Sequence, residues 1–94
     1  MYQGWSNVYT WRVGYILANT KQYHDICLQA VATRKRKDAV RDIMHLCTTI
    51  AARSEHGSDH NDMKRVDFTE VNWWELYEVY QRKIREGAYA SSNA

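Results

Sequence analysis

Few residues in this 94-residue chain are spaced for chemistry. The segment Ser54-Glu55-His56-Gly57-Ser58-Asp59-His60-Asn61-Asp62 gathers two imidazoles and the carboxylates of Asp59 and Asp62 in one loop. Imidazole and carboxylate are zinc donors, but no second ligand pair follows at a recognisable spacing. These read as polar loop residues, and no metal is assigned. His24 and Cys27 stand one helical turn apart, and His45 is close to Cys47. Such pairs could supply ligands or a base-activated thiolate. Here no third group orients the base, and both cysteines fall on apolar stripes, where thiols are inert packing groups. No glycine-rich phosphate loop, nucleophile elbow or His-Glu-x-x-His helix is present. We expect no catalytic residues, no cofactor and no enzyme.

The most specific polar feature is the run Arg34-Lys35-Arg36-Lys37, extended one helical turn later by Arg41. Four consecutive cations can neutralise phosphates or form a solvated corner. The segment that follows offers few outward Asn, Gln or Arg side chains for reading bases. Charge is also uneven along the chain. Residues 1–54 hold eight Lys/Arg against three Asp, and residues 55–94 hold five against eight Asp/Glu. A dipolar layout orients a partner during encounter without fixing its chemistry.

The elements that must position these residues read as helices in a single small domain spanning residues 1–94. Proline is absent, there are four glycines, and no run alternates polar and apolar residues long enough to require a strand. No apolar run approaches the roughly 18–20 residues of a membrane span, and no secretory leader is visible. Two cysteines are too few for a disulfide scaffold and suit a reducing compartment. Four helices are expected, over about 8–18, 21–33, 38–53 and 73–86, with 87–94 as a frayed tail. Asn7 caps the first and Thr20 the second. Gly14 inside the first helix costs about 1 kcal/mol relative to Ala, which a ring or backbone passing close by would explain. Tyr23, Ile26, Cys27, Ala30 and Val31 face inward on the second helix. Val40, Ile43, Met44, Cys47, Ile50 and Ala51 do so on the third. Whether the second and third helices are continuous through the basic run is left open by the residues. Met63 to Phe68 reads as a short helical turn. At the last helix, Asn72 and Glu75 have capping-box spacing, Val71 and Leu76 form a hydrophobic staple, and Gly87 is placed to terminate.

No aromatic residue lies between Tyr23 and Phe68. This predicts an aromatic core joining the first and last helices through Trp5, Trp11, Tyr15, Trp73, Tyr77 and Tyr80. One of Trp5, Trp73 or Trp74 could instead be an exposed interface anchor. Trp73 and Trp74 are adjacent, about 100° apart around a helix, so they cannot be equally buried. Trp74 is expected to be the more exposed.

Two segments carry a resemblance. Gly4-Trp5-Ser6-Asn7-Val8-Tyr9-Thr10-Trp11-Arg12-Val13 resembles the N-terminal signature of an uncharacterised family of small phage and mobile-element proteins. Val71-Asn72-Trp73-Trp74-Glu75-Leu76 is similar to that family's Val-Asp-Trp-x-Glu-Ile start of the last helix, with Asn72 in place of Asp. The family has no settled activity. The resemblance implies a phage or mobile-element origin and a place of action in the host bacterial cytoplasm. The expected function is a non-catalytic effector that binds and blocks a host protein or ribonucleoprotein complex, as anti-defence and anti-CRISPR inhibitors do. The predicted contact residues are Arg34, Lys35, Arg36, Lys37, Arg41 and Trp74. The alternatives are a nucleic-acid-binding accessory protein using the basic cluster, and a virion or assembly component, for which a homodimer would be natural. No membrane partner is expected.

Overall fold

The computed structural model describes residues 3–53 and 62–87. Among them there is no strand. Four helices, α1 (Val8–Asn19), α2 (Lys21–Thr33), α3 (Arg36–Ala52) and α4 (Trp73–Arg85), form a small bundle, with a 3-10 turn at Phe68–Glu70 before the last. None is long and apolar enough to cross a membrane. Helix α2 packs against the other three, and α4 closes the bundle mainly over α2 and α3.

The helix boundaries follow local chemistry. Asn7 is extended, and its Oδ1 accepts from the Thr10 N–H at 2.8 Å, so α1 begins where a capping side chain stands. Thr20 is the single extended residue between α1 and α2, but its side chain makes no cap bond to α2. The expected second cap is therefore positional only. Arg34 and Lys35 are both extended, which separates α2 from α3 and makes Arg36 and Lys37 part of α3's first turn. Helix α3 thus starts two residues earlier than its charge pattern suggests. Gly87, at φ 95°, ends α4 in the left-handed conformation expected of a glycine terminator.

The core is mostly aliphatic. Its largest fully buried side chains include Ile16, Leu17, Ile43, Ile50 and Leu76, joined by Met63 from a helical turn at 62–64. The segment leading to α4 is pinned by buried Met63, Val66 and Val71. The aromatic residues surround this centre rather than fill it. Tyr77 and Tyr80 are buried, and Trp5 and Trp73 are partly buried against the core. Tyr15, expected inside, is 58% exposed and leans on Trp11, with ring centroids 5.6 Å apart. The reason lies in α1's own geometry. Val13, Ile16 and Leu17 take the inward arc, and Tyr15 falls off it. Gly14 is explained by Trp5. A Cβ there would lie 2.8 Å from the indole ring, which packs directly on the glycine.

Candidate functional site

Trp74 owes its position to the junction of α1 and α4, where the two resemblance-bearing segments meet. Thr10 is the one buried polar residue of the described core. Its Oγ1 donates to Asn7 Oδ1 at 3.0 Å and accepts from the Asn72 N–H at 2.9 Å. Asn7 Nδ2 donates to the Glu70 carbonyl at 2.8 Å, and Asn72 Oδ1 accepts from the Glu75 N–H at 3.1 Å. The expected capping box is only half local. The Glu75 carboxylate accepts from the Ser6 N–H at 3.1 Å, while the Asn72 N–H is taken by Thr10. The reciprocal bond of a capping box is therefore traded across the junction. Two helix N-termini, 65 residues apart as counted between their caps Asn7 and Asn72, satisfy each other's orphan groups. The staple forms as expected, with Val71 and Leu76 both buried.

With the start of α4 held in this way, Trp73 packs half-buried beside Phe68, with centroids 5.9 Å apart. Trp74, one step around the helix, is 47% exposed and points toward α3. Helix α3 buries Ala39, Ile43, Cys47 and Ile50. That choice turns the neighbouring stripe toward α4. Lys37, Val40, Arg41, Met44 and Trp74 line a depression of about 300 Å³ between the two helices. The Arg36 guanidinium lies 4.9 Å from the Trp74 ring centroid and 5.7 Å from that of Tyr77. The two rings meet edge-on at 6.4 Å.

Four of the six predicted contact residues, Arg36, Lys37, Arg41 and Trp74, are therefore brought to one surface. Arg34 is not. It pairs with Asp42 at 3.0 Å and lines a separate depression between α2 and α3, together with Ile26 and His45. Lys35 is exposed at the cap position of α3. The sequence reading misplaced two apolar residues of α2 and α3. Met44 is 39% exposed and Ile26 is exposed, whereas Ala39 and Leu28 take inward positions; Val40 and Ala51, expected inward, are half-buried against the core. Apolar residues on α3 cover an arc wider than the helix buries, and periodicity does not say which edge of the arc faces the core. The surplus apolar width was the available signal for an apolar contact surface.

The other candidate chemistry is packed away or lies elsewhere. Cys27 and Cys47 are free and fully buried. Burial pushes the Cys27 thiol up to about 12 despite a hydrogen bond with Tyr80, and burial also raises Cys47. Neither is a thiolate at neutral pH, so Cys27 is not an activated nucleophile. His24 sits against the Tyr80 ring at 5.5 Å, and burial, aided by Lys83, lowers its pKa. Among the described residues no three His, Cys, Asp or Glu side chains cluster as metal ligands. His56, Asp59 and His60 lie outside the described residues, and Asp62 is exposed. No family model matches the chain, and no curated protein or solved structure does.

Proposed function

We propose that this protein is a non-catalytic effector of phage or mobile-element origin that binds a host bacterial protein or ribonucleoprotein complex and blocks it by covering a surface. The observation that carries the reading is the α3–α4 depression. There an exposed tryptophan stands beside Met44 and the cations Arg36, Lys37 and Arg41. Tryptophan and arginine are the residues that dominate binding energy at protein interfaces, and methionine adapts its shape to a partner. Exposed apolar and aromatic side chains cost the isolated protein solubility, so a contiguous group of them fits a contact surface.

The alternative, phosphate binding by the basic run, has less support. Arg34 is paired with Asp42, and Arg36 is engaged with two rings. The test is to express the wild type and a Trp74→Ala/Arg41→Glu variant in the bacterial host. Partner capture and the effect on host defence are then compared. Loss of a hot-spot pair predicts affinity lower by about 30-fold or more. Intact partner capture and host phenotype in the variant would reject this surface. Binding to random duplex DNA that falls steeply with salt would favour the phosphate reading.

A further inference from the structure

The depression also specifies the kind of partner segment it would take. We infer that it is the docking site for an acidic polypeptide segment that inserts one bulky apolar side chain between Met44 and Trp74. The inference rests on the protein-binding reading above and deepens it.

Three observations converge. First, the lining pairs the apolar groups of Val40, Met44 and Trp74 with the side chains of Lys37 and Arg41, and it contains no carboxylate. The charged heads of Lys and Arg stay in water while their stems cover apolar surface, so the rim is positive and the floor apolar. Second, among the described residues neither Lys37 nor Arg41 has an acidic partner within 4 Å. Neither charge is tied up in an ion pair among the described residues, and an acidic segment would complement both. Third, the volume of about 300 Å³ stands at the lower end of ligand clefts, which run roughly 300–1,000 Å³. It has room for one bulky apolar side chain together with the backbone that carries it.

The same geometry disfavours a nucleic-acid strand as the occupant. Single-strand binding sites stack successive bases on aromatic side chains, whereas here Arg36 lies over one face of Trp74 and the groups across the depression, Val40 and Met44, are not aromatic. The larger depression between α2 and α3 offers no such commitment. Its Arg34 and Asp42 satisfy each other, so it presents neither sign of charge to a partner.

The experiment is selection of a random displayed peptide library on the immobilised full chain, at about 150 mM salt. The enriched peptides are then titrated into protein carrying labelled methionine methyl groups. The chain has three methionines, and Met44→Leu assigns the relevant signal. The expected peptides carry Asp or Glu around one Leu, Ile, Phe or Trp, and they shift the Met44 methyl while leaving buried Met63 unmoved. Met44→Glu and the Lys37→Glu/Arg41→Glu pair should each weaken binding by about tenfold or more. Helical circular dichroism should be unchanged, because these side chains are exposed or on the helix surface.

Failure to enrich peptides, enrichment of sequences without acidic residues, or equal binding to Met44→Glu would overturn the inference. Oligothymidylate that shifts the Met44 methyl at the same salt and displaces the peptides would also overturn it. The selection contains no host component, so the two proposals can fail separately. Acidic peptides that dock here while Trp74→Ala/Arg41→Glu leaves host phenotype intact would reject only the host-blocking reading. Loss of host phenotype without peptide enrichment would reject only the acidic-segment inference.

Discussion

The α1–α4 junction and the α3–α4 depression lie at the same end of α4 and draw on similar residues, an aromatic pair beside polar side chains, yet they are completed differently. At the junction Asn7, Thr10, Asn72 and Glu75 each find a partner inside the molecule. In the depression Lys37 and Arg41 have no acidic partner among the described residues, and Trp74 stays half in solvent. Polar groups closed on one another set a geometry and have little left to offer a partner. Polar groups left open around apolar surface keep their binding capacity. One turn of one helix thus divides the work, with Asn72 and Glu75 holding its start and Trp74 presenting a face.

This contrast can be broken by mutation. The largest effect on stability should come from Thr10→Val, which keeps the shape and removes the hydroxyl shared by Asn7 and the Asn72 N–H. Stranding partly buried groups should cost about 1–3 kcal/mol. In a domain of this size each kcal/mol lowers Tm by about 4–8 °C. Thermal melting reads the loss, while affinity for any partner of the depression, measured well below Tm, should be unchanged. A melting temperature equal to wild type would show that the junction does not hold the two N-termini together.

A smaller effect separates packing from helix propensity at Gly14. In a Trp5→Ala background, Gly14→Ala should stabilise by up to about 1 kcal/mol, because the helix gains propensity and the ring is gone. In the wild type the added methyl meets the indole, and that gain should be cancelled or reversed. Equal effects in both backgrounds, by denaturant unfolding, would mean Trp5 does not rest on α1 in solution.

The smallest stability effect is expected at the depression itself. Arg36→Ala gives up the exposed cation–π contact with Trp74, worth about 0.5–1 kcal/mol. A loss well beyond that range, by denaturant unfolding, would make the Arg36–Trp74 contact part of the structural frame and remove the contrast with the junction.

Much of the fold was legible because helix signals are local. Asn7 and Asn72 stand where a side-chain oxygen reaches an N–H three residues on, and both do so in the structure. The fate of Glu75 was not legible, because its carboxylate bonds an N–H 69 residues away that competes with the local one. Of the candidate site, Trp74's exposure could be read from its adjacency to Trp73, since neighbours on a helix cannot share one buried direction. The separation of Arg34 from Arg36, Lys37 and Arg41 could not. It depends on where the two extended residues place the start of α3, and on Asp42 facing back toward α2.

The sequence by itself determined that the described residues are helical, that Asn7 and Asn72 cap the first and last helices and that the cysteines lie on apolar stripes, because capping distances and apolar spacing act within a few residues. Only the tertiary structure decided which edge of α3 is buried. Once Ala39, Ile43, Cys47 and Ile50 turn toward the other helices, Val40 and Met44 are left beside Trp74 under a rim of cations. Burial is a property of a direction in space, and that direction is set by where the neighbouring helices lie.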